Sequence, residues 1–166
     1  MSCVILSYDN ALSLSHLLPT LSDTLTECGY PWEVIVVNAG SDDATNQLLR
    51  GWSEIPGFWT VPLSTDAGQA MALAVGLAAA RGDAVILLDA KLHYAPSLLA
   101  QMIMQWENGA ELVYAVRNAA GELTELAGWD AATVDRMMNA ADSMNLPQGS
   151  TDLALMDRRV VKFLLA

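Results

Sequence analysis

Basic residues and cysteines are both scarce in this sequence. The 8 Lys and Arg residues stand against 19 Asp and Glu, which gives a formal net charge of −11. Because nucleic acids and anionic lipid surfaces are bound by clustered Lys and Arg, this charge excludes nucleic acid as an expected partner and disfavours docking on a membrane through a basic face. The two cysteines, Cys3 and Cys28, indicate buried or idle thiols in a reducing compartment. No Cys/His cluster predicts a zinc site.

Long apolar runs are also absent. No stretch approaches the roughly 18 consecutive apolar residues of a membrane span. The N-terminus has no basic segment ahead of its apolar run, as a signal peptide would. We therefore expect a cytoplasmic protein with no transmembrane segment. What the sequence does have is 53% hydrophobic residues in a length of 166, which suits one domain with a sizeable buried core.

Short apolar runs alternate along the chain with segments of helical period. The predicted strands are 3–6, 32–37, 58–63, 84–88 and 112–116, with a further short run at 152–155. The predicted helices are 11–25, 41–52, 68–81, 96–107 and 130–144, followed by a turn at 147–149 and a last helix from Asp157. This alternation predicts an α/β fold with a mostly parallel sheet.

Individual residues sharpen this prediction. Pro19 argues against one unbroken first helix, because proline lacks the backbone N–H that a helix interior uses. Ser41 or Asp42 is the expected cap of the second helix. Pro62 indicates that the third strand lies at an edge of the sheet or ends early.

Polar residues at strand ends are the first candidates for a site. In open α/β sheets, ligands bind outside the carboxyl ends of the strands. Asn38, Asp89 and Arg117 each stand at or just past the end of a predicted strand. We therefore expect a ligand near these three side chains.

Five segments, in order along the chain, carry a family resemblance. They are VILSYDN at 4–10, EVIVVNAGSDDAT at 33–45, GQAMALAVGLAAARGD at 68–83, LDAKLH at 88–93 and DLALMDRRVV at 152–161. Together they resemble the family 2 glycosyltransferases, especially the polyprenyl-phosphate sugar transferases related to dolichol-phosphate mannose synthase. The resemblance implies a three-layer GT-A domain over 1–166, with 1–117 as the nucleotide-binding half and 118–166 as a truncated acceptor-side part.

The same resemblance locates substitutions at the positions that carry the family's chemistry. Asn38 and Ala39 stand where the family has an aspartate pair that holds the nucleoside. Lys91 replaces the second aspartate of the metal-binding DxD motif, of which Asp89 is the first. A lysine repels a divalent cation, so we predict that the metal site is lost and that no cofactor is required. Magnesium or manganese would be expected only if Asp89 alone sufficed.

The resemblance also assigns roles to the remaining residues. The predicted donor-binding residues are Tyr8, Asn38, Asp89, Lys91 and Arg117, and the predicted catalytic residue is Asp152. Each charged group among them has a structural alternative. Asp89 could form an ion pair with Lys91 or another neighbour, Asp152 could cap a helix or be solvated, and Arg117 could clamp a phosphate or pair with an acidic residue.

Two functional hypotheses follow. In the first, the chain transfers a sugar from a nucleotide-sugar donor, and Lys91 supplies the positive charge that a metal normally gives. In the second, it is a non-catalytic binding or regulatory module that retains the fold and acts as a homo-oligomer or with a partner transferase. An unrelated Rossmann or flavodoxin-like binder is a third reading, which the absence of GxGxxG after the first strand disfavours.

Overall fold

The computed structural model describes residues 1–64, 67–94, 96–140 and 152–166. Within these residues the strands are β1 (Ser2–Ser7), β2 (Glu33–Asn38), β3 (Phe58–Pro62), β4 (Ala84–Asp89), β5 (Ala110–Arg117), β6 (Leu123–Asp130) and β7 (Leu153–Asp157). The helices are α1 (Ala11–Glu27), α2 (Thr45–Ser53), α3 (Gly68–Ala79), α4 (Pro96–Glu107), α5 (Ala131–Asn139) and α6 (Arg158–Leu164).

The strands form one seven-stranded sheet in the order β3-β2-β1-β4-β7-β5-β6. The pairs among β3, β2, β1 and β4 are parallel, whereas β7 pairs antiparallel with both β4 and β5, and β6 pairs antiparallel with β5. The α/β prediction is confirmed, with a mixed sheet whose parallel part is the first four strands. The edge position expected for the third strand is also confirmed, because β3 is the terminal strand.

Helices cover both faces of the sheet and make three layers. Alternate residues of β1 point to opposite faces, so Cys3 and Ile5 join one core cluster while Val4 joins the other. The first cluster is closed by α1, α2 and α4, and the second by α3, α5 and α6. Burial on both faces explains why β4 reads as an unbroken apolar run rather than an alternating one.

Helix α3 packs closely on β1 and β2. A Cβ atom at Gly76 would lie 2.4 Å from Val4 Cγ1 and 3.0 Å from Val37 Cγ2, so only glycine allows this approach. The close packing brings the N-terminus of α3 toward the carboxyl ends of the two strands.

Several local predictions need correction. Helix α1 continues through Pro19, which is exposed, so the unbonded carbonyl of the preceding turn can face water. Helix α2 begins at Thr45, because the Ser41 hydroxyl donates to Asn38 and accepts from Asp9 instead of capping a helix. Strand β6 was not predicted at all. Asp157 does cap the last helix, accepting from the backbone N–H of Arg159 at 2.9 Å.

Two predictions in the last third of the chain have a mixed outcome. The helix expected at 130–144 is α5, which ends at Asn139, and the turn expected at 147–149 lies outside the described residues. The division at residue 117 stays a prediction. Strand β7 comes from the second of the two parts and lies between β4 and β5 within the sheet.

Candidate functional site

The candidate site lies where β1, β2 and β4 end. The parallel register pairs Ser7 with Asn38 and Leu6 with Asp89, so these strand ends reach the same edge of the sheet. Continuous apolar runs place each strand in the core, and the first polar residues after the runs emerge at this edge. The topology therefore brings together Asn38 and Asp89, as the sequence predicted.

Two clefts open at this edge and share Asp89 and Lys91. The first cleft has a volume of about 410 Å³ and is lined by Leu6, Ser7, Tyr8, Asn10, Ala39, Gly68, Gln69, Ala72, Asp89 and Lys91. The second cleft has a volume of about 660 Å³ and is lined by Asp89, Lys91, Leu92, His93, Tyr94, Arg117, Gly121, Glu122, Leu123 and Asp152. Five of the six predicted site residues line one or both of them, and Asn38 does not.

Asp89 and Lys91 are linked through the backbone. The Lys91 N–H donates to Asp89 Oδ1 at 2.8 Å, which closes a short turn directly after β4. The expected ion pair between the two side chains does not form, since the ion pairs of the described residues involve Arg117 and Arg159. The Lys91 side chain is exposed. Lys91 lines both clefts, so its charge lies at the part of the surface where they meet.

Arg117 and Asp152 form an ion pair in the second cleft. Arg117 Nη2 lies 2.9 Å from Asp152 Oδ2, its Nε donates to the same oxygen at 3.2 Å, and its Nη1 donates to the Gly121 carbonyl at 2.8 Å. The side chains are 46% and 32% exposed, so the pair contributes about 0–1 kcal/mol to stability. Its effect is mainly to fix the direction of Asp152, whose expected alternative as a helix cap is wrong.

Asn38 is buried and bonded within its own loop. It is 2% exposed. Its Oδ1 accepts from the backbone N–H of Ser41 at 3.2 Å and from the Ser41 hydroxyl at 2.5 Å, while its Nδ2 donates to Asn46 Oδ1 at 2.7 Å. Donor binding by Asn38 stays a prediction, and it is the neighbouring Ala39 that reaches the first cleft.

A second set of hydrogen bonds joins the loop after β1 to the loop after β2. Asp9 has a positive φ of 49°, and its Oδ1 accepts from the N–H groups of Asp42 and Asp43 at 2.8 and 3.3 Å. Asp43 in turn accepts from Thr45 at 2.9 Å and from Ala11 at 3.3 Å. The hydrogen bond from Thr45 lowers the pKa of Asp43. Asp43 thus accepts from the first residue of α2 and from the first residue of α1.

Two hydroxyl groups at the site were not predicted. The Ser7 hydroxyl is buried at the first cleft, and the Tyr94 hydroxyl is buried at the second, neither with a hydrogen-bond partner in the described structure. Burial raises the pKa of Tyr94, which keeps its hydroxyl protonated and able to donate. An unsatisfied buried polar group is unfavourable, so a ligand that reached either hydroxyl from the cleft would satisfy it. No sequence signal distinguishes them from ordinary core residues.

The side chains at this site do not fit a divalent metal ion. Over the described ranges, no three His, Cys, Asp or Glu side chains come together in a way that could hold one. Asp152 is engaged by Arg117, and Asp89 has a lysine where a second carboxylate would be needed. The positive charge of Lys91, two residues after Asp89, opposes the binding of a divalent ion there.

None of the helices that the structure describes combines the length and the apolar character needed to cross a membrane.

Comparison with known proteins relates this chain to enzymes of sugar transfer. The profile of the family described as Glycosyl transferase family 2 matches residues 2–165. An uncharacterized glycosyltransferase of Synechocystis sp. is 33% identical over 162 residues, which are 97% of this chain and 51% of that protein. The undecaprenyl-phosphate 4-deoxy-4-formamido-L-arabinose transferase of Pseudomonas aeruginosa is 27% identical over 168 residues, 100% of this chain and 49% of that protein. The chain thus spans about half the length of these relatives.

A solved structure gives the same fold. The mannosyltransferase from Pyrobaculum calidifontis, in complex with GDP-Man and Mn²⁺, superimposes with a TM-score of 0.64 at 22% identity, over 98% of this chain and 46% of that one. At this identity the likeness establishes the fold alone. The GT-A fold predicted from the five sequence segments is confirmed.

Proposed function

The chain belongs to glycosyl transferase family 2, and on that premise we propose that it transfers a sugar from a nucleotide-sugar donor to an acceptor. One observation carries the proposal: two clefts of about 410 and 660 Å³ meet at Asp89 and Lys91. A transferase needs a place for the donor and a place for the acceptor with the reacting bond between them. We assign the first cleft to the nucleotide and the second to the acceptor.

The first cleft offers contacts suited to a nucleotide. Tyr8 is 50% exposed at its wall, where its ring can stack on a base. Gly68 and Gln69 belong to the first turn of α3, whose free N–H groups favour negatively charged ligands. The Ser7 hydroxyl, which has no hydrogen-bond partner among the described residues, can donate to a ligand oxygen. The wall at Ala39 offers only a methyl group, so the nucleoside is held by the other sides of the cleft.

The second cleft offers a carboxylate for the acceptor. In the transfer, the bond between the sugar C1 and the diphosphate oxygen breaks as a bond from C1 to the acceptor oxygen forms, and the nucleoside diphosphate leaves. An acceptor hydroxyl would give its proton to Asp152, which we propose as the general base, and Arg117 holds this carboxylate in place. An acceptor that is already an anion would need only orientation. Asp89, at the junction of the clefts, would border the transferred sugar.

A product assay tests this proposal. Purified protein is incubated with UDP-, GDP- and dTDP-sugars and with undecaprenyl phosphate, the acceptor class in the name of the Pseudomonas aeruginosa relative. We expect one donor to give a glycosylated lipid detectable by mass spectrometry, together with an equal amount of released nucleoside diphosphate. With this anionic acceptor, Asp152→Asn should change turnover little. With undecaprenol, whose hydroxyl must lose a proton, Asp152→Asn should lower turnover, and donor binding should be unchanged in both cases. Donor binding without transfer to any acceptor would contradict catalysis.

A second candidate function rests on the end of β2. The amide of Asn38 is hydrogen-bonded within its own loop, and Ala39 has no polar side chain. Neither residue therefore replaces the aspartates that bind the nucleoside in the family. On this alternative the chain is a non-catalytic module that binds a second copy of itself or a partner transferase. Light scattering and the product assay separate the two: a stable dimer without any product favours the module, and a sugar-transfer product rules it out. Cytoplasmic placement is part of both proposals and can be tested by cell fractionation.

A further inference from the structure

Lys91 occupies the position that decides how the donor's negative charge is met. A nucleotide-sugar donor carries a diphosphate, and charge develops on this group as the sugar leaves. The side chains around Asp89 do not fit a divalent metal ion, as described above. The charge must therefore be met by the protein itself, through the N–H groups at the start of α3 and the cationic side chains that line the clefts.

The two cations that line the clefts differ in how they are held. All three nitrogens of the Arg117 guanidinium that could face a ligand already donate, to Asp152 and to the Gly121 carbonyl. Arg117 also lines only the second cleft. It is thus committed to the acceptor side, where it fixes a carboxylate.

Lys91 lacks these restrictions. Its side chain lines both clefts, so its ammonium group can reach a diphosphate at their junction. Only its backbone N–H is bonded to Asp89, and no ion pair engages its ammonium group within the part of the chain that the structure describes. The turn that this N–H closes fixes where the flexible side chain starts. A compact ammonium on a long stem is suited to binding a phosphate as a point charge.

We propose that the ammonium group of Lys91 takes the place of the metal ion at this site, so that the chain binds a nucleoside diphosphate or its sugar without a divalent cation. The inference rests on the proposed function for the identity of the donor. Lys91 forms no covalent bond in the reaction. It excludes the metal by like charge and neutralises the leaving diphosphate by opposite charge.

The first arm of the test uses manganese alone. The EPR signal of free Mn²⁺ is followed as protein is added, for the unchanged chain, for Lys91→Asp and for Lys162→Ala. Lys162 is the only other lysine, lies exposed on α6 and serves as the matched control. We expect only Lys91→Asp, which restores a second carboxylate beside Asp89, to remove free Mn²⁺ from solution. Manganese binding by the unchanged chain would overturn the exclusion of the metal.

The second arm uses UDP, GDP and dTDP in calorimetry, with EDTA or with manganese. We expect the unchanged chain and Lys162→Ala to bind one of them with the same Kd in both buffers. Lys91→Ala should bind it about tenfold more weakly or worse, because a hydrogen bond to a charged group is lost, and Lys91→Arg should retain part of the affinity. Lys91→Asp should bind no nucleotide in EDTA and regain binding with manganese.

The outcomes separate the inference from the proposed function. Nucleotide binding that requires manganese, or that is unchanged in Lys91→Ala, would overturn the inference and leave sugar transfer possible. Metal-free binding that depends on Lys91, without product from any donor and acceptor, would support the inference and overturn catalysis. If no nucleotide binds in either buffer, both the role of Lys91 and the proposed function fail.

Discussion

The ends of β2 and β4, the strands on either side of β1, differ in whether the polar side chain there is buried or exposed. At the end of β2, Asn38 is 2% exposed and bonded to Ser41 and Asn46. At the end of β4, the side chain of Lys91 is exposed between two clefts. Each end carries a residue that differs from the carboxylate expected from the family. Asn38 at β2 is hydrogen-bonded inside the protein, whereas Lys91 after β4 is exposed to solvent. We infer that the β2 end contributes to stability and the β4 end to binding.

The largest effect should come from removing the polar group at the β2 end. Asn38→Leu leaves both the hydroxyl and the backbone N–H of the buried Ser41 without their acceptor, and it removes the donor to the exposed Asn46 side chain. We expect the free energy of unfolding to fall by about 2–4 kcal/mol, because each unsatisfied buried group costs about 1–3 kcal/mol. Urea unfolding followed by circular dichroism measures this loss.

Asn38→Asp is the matched control for that experiment. The carboxylate still accepts from Ser41 but loses the donor to Asn46, so we expect a loss of about 1 kcal/mol. A leucine variant as stable as the aspartate variant would show that the hydrogen bonds of Asn38 do not hold the loop. The contrast between the two strand ends would then fail on the β2 side.

A smaller loss of stability is expected at Asp9, which ties the β1 loop to the β2 loop. Asp9→Ala removes the acceptor for the N–H groups of Asp42 and Asp43, and it places alanine at a φ of 49°. We expect a loss of about 1–2 kcal/mol in urea unfolding. Asp9→Gly removes the same acceptor but tolerates the backbone conformation, so it should be less destabilising than Asp9→Ala. Equal losses in both variants would mean that the backbone conformation contributes nothing.

The sequence predicted the parallel part of the fold well and the rest less well. The buried strands β1, β2 and β4 are continuous apolar runs, which are typical of parallel strands covered by helices on both faces. Strand β6 was missed because it is an edge strand with a burial pattern that does not alternate regularly and contains Gly128. The position of β7 between β4 and β5 depends on pairing across long stretches of chain, which no local pattern reveals.

Five of the residues predicted from the sequence line the two clefts, but their contacts were not predicted. Asp89 and Lys91 follow directly from a strand end and a motif. The pairing of Arg117 with Asp152 joins residues 35 positions apart, so the sequence could offer it only as one alternative. The Asn38 side chain is hydrogen-bonded to the side chains of Ser41 and Asn46 in its own loop. The hydroxyls of Ser7 and Tyr94 lack a partner among the described residues because of what packs around them. These are properties of the packed structure.

Variants at the β4 side should sharpen the comparison by changing stability little. Arg117→Ala breaks an ion pair that is 46% and 32% exposed, and we expect a change in the free energy of unfolding of at most about 1 kcal/mol. Lys91→Ala should change it by less than about 0.5 kcal/mol, as is usual for exposed side chains. The same urea unfolding measures both. A loss at Lys91 as large as that of Asn38→Leu would contradict the assignment of the β4 end to binding.

The smallest effect concerns the charge of Asp43 and appears only as a dependence on pH. The hydrogen bond from Thr45 lowers the pKa of Asp43 in the folded chain below the ordinary value of an aspartate. A carboxyl group with a lowered folded-state pKa stabilises the protein above its unfolded pKa, and this stabilisation is lost as the pH falls through the folded-state pKa. Asp43→Asn keeps an acceptor for the Thr45 N–H but cannot carry the charge.

We therefore expect Asp43→Asn to be less stable than the unchanged chain at pH 7, with the difference shrinking as the pH falls below about 4. Urea unfolding of both proteins at a series of pH values measures the difference directly, and other acidic groups cancel because both proteins share them. Asp130→Asn is the control, since its pKa is lowered in the same direction by Thr133 at the start of α5, away from both clefts. If Asp43→Asn weakens nucleotide binding and Asp130→Asn does not, the loop after β2 contributes to ligand binding as well as to stability. The assignment of the β2 end to stability and the β4 end to binding would then be too simple.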